Sequence, residues 1–415
     1  ECPDEDNSLD GNIDTDNFSK QVLVLTSDTP DGEFKWNQRI NMNSYTGGTS
    51  NTGDQTVFTD DDGTSYLVYS YGSGRGKMFL SKIVAQENDK IGLAQSHMVY
   101  QGAGREGNCM FKYNNKYYMC ASDLYGWNAS HAYYMVLDSL EDSYLESDTF
   151  KPATSMQLMD GSSEDFCHVT QTGFFYTVKG SDQETVIFCG DRWSDFAKNG
   201  LGYNQWCPLS FKADGTPYFN SLSAWDLDLA TGKWTVHATN NYAKNGSFDA
   251  DRVNQKELAG WTNTINEGNA PINNDKSVVT GKYALKLGDA VDFDCKVSQE
   301  IAQNTATADA VQLPNGTYDL KAKLKNTGTF DELSMYVKSG NITKKTLIKT
   351  AHANYTEITL PDVAVTGNKA EIGFIAKGKA NASALIDDVS FVLAKEQEVS
   401  SGKISCDITS DTTKK

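Results

Sequence analysis

Three stretches of the chain share one pattern of hydrophobic and polar positions. Each has an apolar or aromatic run, a turn rich in Asp, Asn or Gly, and a second run of β-branched and aromatic residues. They are residues 56–70, 109–122 and 173–191. Such runs around short turns predict β-hairpins. Their spacing is slightly longer than a four-stranded propeller blade, and one small sheet cannot bury both of its faces, so the repetition predicts a β-propeller.

The pattern changes near residue 240. Beyond it the chain is richer in Lys, Ala, Thr and Val, and short alternating strands are predicted at residues 317–324, 370–374 and 384–391. Many short strands with turn signals predict a β-sandwich. We therefore predict an all-β chain with a propeller over residues 1–240, a sandwich over residues 241–395 and a polar tail or linker over residues 396–415.

Composition limits the partners and the cellular compartment to be expected for this protein. The chain has 415 residues and a net charge of −18, which disfavours nucleic acid and anionic membranes as partners. No apolar run approaches the roughly 20 residues that cross a membrane. The chain opens without Met and carries eight cysteines, which is compatible with an oxidising compartment. We expect a processed or truncated monomer that is secreted, periplasmic or on the cell surface.

Two cysteines are predicted to face each other. Cys109 and Cys120 are symmetric about the turn at Asn114 and Asn115, so a two-residue hairpin places them directly opposite. That geometry permits a cross-strand disulfide, and two reduced core thiols are the competing interpretation.

Five blocks of sequence carry a family resemblance. They are residues 53–63, 104–106, 124–128, 170–172 and 190–206. In order and spacing they resemble the second to fifth blades of glycoside hydrolase family 43, the five-bladed propeller glycosidases, and within it the exo-β-1,3-galactanase group. The family's first blade has no counterpart here, so any catalytic or substrate residue from that blade is expected to be absent. We expect residues 21–36 to form outer strands of blade two.

The resemblance assigns catalytic roles. Hydrolysis with inversion needs an acid for the leaving oxygen and a base for the water. Glu106 matches the acid, and Asp54 matches the carboxylate that holds substrate and favours the protonated acid. Gln171 occupies the position at which the next blade of the family usually carries a catalytic carboxylate. The galactanase group has a Gln there, which acts as the base through its imidic acid form.

Each role has a structural alternative. Glu106 could be an exposed loop residue paired with Arg105, and Asp54 could cap a turn. Gln171 could be a polar strand residue, in which case Glu164 or Asp165 would supply the base. Around these positions, aromatic and polar side chains suit the faces and hydroxyls of sugars. The predicted substrate-binding residues are Tyr125, Trp127, Asp191, Arg192, Trp193, Tyr203 and Gln205.

Residues 245–395 resemble the jelly-roll carbohydrate-binding modules that are attached to such enzymes. Modules of this kind often hold a structural calcium ion between acidic residues of their first and last strands. Oxygen ligands suit that cation, and we predict Asp249 and Asp388 as ligands, with Asp251 and Asp387 close by. The alternative is that Asp387 and Asp388 form a solvated turn before the final strand. No cofactor is expected for catalysis.

The resemblance implies a secreted, inverting exo-glycosidase. Its expected product is galactose from β-1,3-galactan, the backbone of plant arabinogalactan, and its expected partner is that polysaccharide. An α-L-arabinofuranosidase or β-xylosidase is the alternative within the family. A catalytically inactive carbohydrate-binding protein is the alternative outside it.

Overall fold

The computed structural model describes residues 21–48, 50–161, 170–194, 202–250, 258–302, 311 and 313–394. Nearly all regular structure in these residues is β-strand. Short helical turns lie at Asn43–Thr46, Ser73–Arg75, Glu87–Asp89 and Asp142–Leu145. Among the described residues no helix is long and apolar enough to cross a membrane.

The first part of the chain folds into five successive antiparallel sheets. Three are four-stranded, with strand orders β3-β4-β5-β6, β7-β8-β9-β10 and β11-β12-β13-β14, and two-stranded sheets precede and follow them. The first strands of the three larger sheets, β3, β7 and β11, contact one another in sequence and so surround a common axis. This is the predicted propeller. The strands are β1 (Gln21–Thr26), β2 (Lys35–Asn41), β3 (Thr52–Thr59), β4 (Ser65–Tyr71), β5 (Lys77–Ala85), β6 (Ile91–Gln101), β7 (Glu106–Tyr113), β8 (Lys116–Ser122), β9 (Ala132–Leu137), β10 (Gln157–Leu158), β11 (Gln171–Lys179), β12 (Glu184–Arg192), β13 (Tyr203–Phe211), β14 (Pro217–Phe219), β15 (Trp225–Leu227) and β16 (Trp234–Val236).

The three predicted hairpins are β3–β4, β7–β8 and β11–β12. In the second, Asn114 and Asn115 both have positive φ, as the tightest hairpin turn requires. Cys109 and Cys120 are directly paired in the register, yet both are free, buried thiols. Burial raises the pKa of each thiol. The disulfide interpretation is therefore wrong for this structure, and the two cysteines belong to the core.

Side chains between the blades form the propeller core. Methionines, aliphatic residues and tyrosines pack between the first and second four-stranded sheets, and aromatic residues pack between the second and third. Phe111 stacks on Tyr118 at 4.8 Å between ring centroids. Each such side chain stabilises the fold by about 1.5–3 kcal/mol when fully buried. This packing explains why the first part of the chain is dense in aromatic residues.

One expectation for the propeller is wrong. Residues 21–36 do not add outer strands to the sheet that begins at β3. Instead β1 pairs only with β2 among the described strands, from Gln21 opposite Asn41 to Thr26 opposite Lys35. The pair forms its own two-stranded sheet, because its apolar residues Val22 and Ile40 pack onto the first larger sheet rather than extending it.

The second part of the chain is the predicted sandwich. Two five-stranded antiparallel sheets have the orders β17-β20-β25-β22-β23 and β18-β19-β26-β21-β24, and one apolar cluster fills the space between them. The predicted strands lie within β21, β25 and β26. The strands are β17 (Thr262–Glu267), β18 (Ile272–Asp275), β19 (Ala284–Gly288), β20 (Phe293–Ala302), β21 (Gly316–Thr327), β22 (Phe330–Ser339), β23 (Ile342–Leu347), β24 (Thr356–Val365), β25 (Lys369–Gly378) and β26 (Ser383–Leu393).

The segment that joins the two parts is bonded to β26. The Tyr242 N–H donates to the Phe391 carbonyl at 2.9 Å, and the Val389 N–H donates to the Gly246 carbonyl at 2.8 Å. The predicted domain boundary at residue 240 falls between β16 and β17 and stays a prediction.

Candidate active site

A cavity of about 480 Å³ opens at one end of the propeller axis. It lies where β7 and β11 begin and where Asp54 of β3 projects, so all three innermost strands contribute to it. Its lining residues are Asp54, Gln55, Thr56, Arg75, Glu106, Gly107, Asn108, Gly126, Trp127, Gln171, Thr172, Gly173, Asp191 and Trp193. The structure therefore gathers Asp54, Glu106 and Gln171 in one place.

Glu106 is the first residue of β7 and is 9% exposed. Its Oε2 accepts a hydrogen bond from Arg75 Nη1 at 2.6 Å, and its Oε1 accepts one from Gln171 Nε2 at 2.8 Å. Arg105 does not pair with it, because Arg105 Nη1 donates to Asp123 Oδ1 at 2.7 Å. The interpretation of Glu106 as an exposed loop residue paired with Arg105 is therefore wrong.

Asp54 is held beside Glu106 through the backbone. Its Oδ2 accepts the Gly107 N–H at 2.7 Å, and its Oδ1 accepts from Arg75 Nη1 at 3.3 Å. Gly107 has φ +59, and a Cβ there would lie 2.4 Å from the Thr172 carbonyl oxygen. Glycine at this position lets β7 approach β11 closely enough for Glu106 to reach Gln171.

Gln171 contacts the acid directly. It is the first residue of β11 and is 5% exposed. In inverting glycosidases the acid and base lie roughly 6.5–9.5 Å apart, with the sugar and a water between them. The 2.8 Å contact between Gln171 and Glu106 leaves no such space. Gln171 can orient a water at the far side of a sugar only after this hydrogen bond has opened.

Arg75 is the site residue that sequence reasoning missed. Its guanidinium bridges Asp54 and Glu106, the two predicted catalytic carboxylates. The signal lies in the run Gly72-Ser73-Gly74-Arg75-Gly76 after β4. Arg75 has φ +51 there, a backbone state that costs energy for a residue with a side chain and is typical of functional sites.

Three of the seven predicted substrate-binding residues line the cavity: Trp127, Asp191 and Trp193. The Trp127 and Trp193 rings meet edge to face, with 4.7 Å between centroids. The structure does not place three others, Tyr125, Arg192 and Gln205, on the cavity wall. The side chain of Tyr203 lies outside the described part of the chain, as do Glu164 and Asp165.

Asp191 is the third carboxylate of the cavity. Burial raises its pKa, and the hydrogen bond from Asn204 Nδ2 to its Oδ1 at 2.7 Å opposes that effect. A carboxylate with a raised pKa in a cavity is a candidate functional group.

The predicted calcium ligands have different surroundings. Asp249 is fully buried, and its Oδ2 has no hydrogen-bond partner among the described residues, which fits a cation. Asp388 does not fit, because its Oδ1 accepts from Thr280 and its Oδ2 pairs with Lys323 at 3.1 Å. No group of three or more His, Cys, Asp or Glu within the described ranges could hold a metal ion. Calcium stays a prediction, while the solvated-turn alternative is wrong, since Asp387 is buried within β26.

Comparison with known families decides the class of protein. The model of glycosyl hydrolases family 43 matches residues 10–217, half of the chain. The chain belongs to glycosyl hydrolases family 43. This family 43 member is therefore a glycoside hydrolase, and its substrate is a carbohydrate.

Solved structures give similarities at low identity. An exo-β-1,3-galactanase variant from Phanerochaete chrysosporium with β-1,3-galactotriose is 19% identical over 90% of this chain and 75% of that one, with a TM-score of 0.44. An exo-β-1,3-galactanase from Clostridium thermocellum is 18% identical over 91% and 77%, with a TM-score of 0.44. TmCBM61 with β-1,4-galactotriose is 17% identical over 37% and 98%, with a TM-score of 0.30. No curated protein sequence matches the chain.

Proposed function

We propose that this family 43 hydrolase is an inverting exo-glycosidase that releases galactose from the non-reducing end of β-1,3-galactan, the backbone of plant arabinogalactan. The observation that carries the proposal is the amide of Gln171 on β11, hydrogen-bonded to Glu106 inside the cavity. A Gln at this place is the feature in which the sequence resembles the galactanase group rather than the rest of the family.

Glu106 is the proposed acid. Both of its carboxyl oxygens accept hydrogen bonds, from Arg75 and from Gln171, whereas an acid must donate an O–H to the leaving oxygen. Substrate entry therefore has to open at least one of these contacts. We assign the Gln171 contact to that step, since its opening also gives the sugar and water the space that inversion needs.

Asp54 has a different part in the mechanism. It is more exposed than Glu106 and is held by the Gly107 N–H, so it is fixed in place while it faces the cavity. This suits a residue that accepts hydrogen bonds from sugar hydroxyls.

The experiment is incubation of the purified chain with β-1,3-galactan, arabinogalactan and arabinoxylan, followed by chromatography of the released sugars. Glu106→Gln is compared with Glu184→Gln, a matched change on β12 that is remote from Glu106. Galactose release that is lost in the first variant and kept in the second supports the proposal. Release of arabinose or xylose means a different specificity on the same fold.

A binding protein without activity is the second candidate. The direct contact between Gln171 and Glu106 favours it, because that contact closes the space in which water would attack. It predicts retention of the chain on a galactan affinity gel with no product from any of the three polymers. If sugar is released, NMR of the fresh product tests the proposed inversion of configuration, since an inverting enzyme gives the α-anomer from a β-linkage.

The oligomeric state, the location and the role of the sandwich are part of the same proposal. We infer that it acts as a monomer outside the cytoplasm and that the sandwich binds polysaccharide, which raises the effective substrate concentration at the propeller. Light scattering of the purified chain tests the monomer. Affinity electrophoresis in arabinogalactan tests polysaccharide binding.

A further inference from the structure

Two tryptophans line one side of the cavity. Trp127 and Trp193, here called the tryptophan wall, both line it, and Trp127 is 69% exposed. The loop that carries Trp127 is held by short-range contacts such as the Asn128 N–H to Gly126 carbonyl bond at 2.9 Å. A large side chain that buries so little area gains little orientation from its own packing, so its position depends on what holds its backbone.

The sandwich supplies such a contact. Lys282 Nζ donates to the Trp127 carbonyl oxygen at 3.2 Å and lies 3.4 Å from Asn128 Oδ1. These bonds cross from one part of the chain to the other. A hydrogen bond from a charged donor is stronger than one between neutral groups, and this one acts on the peptide unit of the exposed tryptophan itself.

Lys282 is presented from a tightly fixed turn. Buried Asp249 accepts the backbone N–H groups of Lys282 at 2.6 Å and Tyr283 at 2.9 Å. Gly281 has φ +64, and a Cβ there would lie 1.7 Å from Asp249 Oδ2, so any side chain at this position would displace the Asp249 carboxylate. The ammonium group of Lys282 therefore extends from a backbone that has little freedom to move.

The other tryptophan also rests on residues next to the sandwich. Trp193 packs with Ala259 against a small buried cluster of Ala129 and Ala250. Ala250 directly follows Asp249, the residue that fixes the Lys282 turn. One short segment thus supports both members of the tryptophan wall, one through an apolar contact and one through Lys282.

We propose that the sandwich is a structural part of the sugar-binding cavity and that Lys282 is a positioning residue for Trp127. The inference rests on the proposed function, in which the cavity binds galactosides. A module that only tethers the enzyme to polymer raises activity on polysaccharide and leaves small soluble substrates unaffected. A module that orients the tryptophan wall changes binding of the smallest substrate as well.

The test uses the full chain with β-1,3-galactobiose. Lys282→Met is compared with Lys282→Arg, which keeps the charge, and with Lys286→Met, whose lysine pairs with Asp275 within the sandwich. We expect Lys282→Met to raise KM by about three- to tenfold with kcat nearly unchanged. The lost bond orients a side chain that binds ground and transition states equally, and only part of its free energy reaches the substrate. Lys282→Arg should restore KM, and Lys286→Met should match wild type.

A second readout does not require activity. Acrylamide quenching of tryptophan fluorescence should increase in Lys282→Met, and the increase should be absent when Trp127→Phe is added. Wild-type KM and quenching in folded Lys282→Met would overturn the inference. If wild type hydrolyses no galactoside, the proposed function fails, while the quenching comparison still decides whether Lys282 orients Trp127.

Discussion

At the scale of single residues, the site is a charge network centred on Arg75. One guanidinium nitrogen contacts both Asp54 and Glu106. The resemblance to the family predicted the two carboxylates and Gln171, which lie at or near the starts of recognisable hairpin strands. It did not predict Arg75, since only the folded turn after β4 brings that side chain back over β3 and β7.

Replacing Arg75 with Met should lower kcat/KM by tenfold or more. The two carboxylates lose a shared donor, and a hydrogen bond to a charged group contributes about 1.5–3 kcal/mol. Added guanidinium should restore part of the loss, and Arg75→Lys should retain more activity than Met. Arg39→Met is the control. Arg39 lies over the Trp36 ring on β2, in the two-stranded sheet that precedes the larger ones. Unchanged kinetics on galactan would show that catalysis does not depend on the contacts of Arg75 with the two carboxylates.

Gln171→Ala separates catalysis from binding at the same site. If Gln171 orients the water, kcat should fall by about 10²-fold or more, in the range typical of a lost proton-transfer or positioning group. Binding of galactose, measured by calorimetry, should change much less. A variant that keeps full kcat would instead point to another group, and Asp191→Asn is then the next substitution to measure.

At the scale of elements, the hairpins and the sandwich strands were predictable because alternation and turn residues are local. The separate sheet of β1 and β2 was not, since it depends on how Val22 and Ile40 pack onto the first larger sheet, a tertiary contact that the local pattern does not specify. The same holds for Cys109 and Cys120: the Asn-Asn turn fixes their register, while the redox state depends on surroundings that a single hairpin does not specify.

Gly107→Ala should destabilise the propeller by about 2–4 kcal/mol, since it adds both positive-φ strain and a clash with the Thr172 carbonyl. Gly47→Ala is the matched control, with φ +66 and open space around its Cβ position, so it reports strain alone. Urea unfolding curves of the two variants measure the difference. Equal losses would mean that β7 and β11 can move apart freely.

At the scale of the whole molecule, the bond from Lys282 to the Trp127 loop depends on a turn that two buried carboxylates of the sandwich, Asp249 and Asp387, hold in place. Asp387 accepts the backbone N–H groups of Val279 and Thr280, in the turn that also presents Lys282. Burial raises the pKa of Asp387 to about 7. Composition and spacing predicted the sandwich, but the contact between Lys282 and the Trp127 loop exists only after folding.

The pH dependence of stability should reflect Asp387. Its pKa in the folded protein lies above that of an unfolded chain, so its contribution to stability is complete below about pH 4 and is lost as the pH rises to about 7. Thermal unfolding of the sandwich should show a smaller decrease over this range in Asp387→Asn than in wild type. The exposed-site variant Asp331→Asn is the control, and it should follow the wild-type curve.

The bonds between residues 242–246 and β26 also set an order of events during synthesis. β26 lies between β19 and β21 in its sheet, and its Val389 and Phe391 hold the joining segment. At about 5–20 residues per second, a ribosome makes those residues roughly 7–30 seconds after residue 246. The propeller therefore emerges and folds well before its junction can close, and the nascent enzyme passes through a stage in which its sugar-binding side is unsupported.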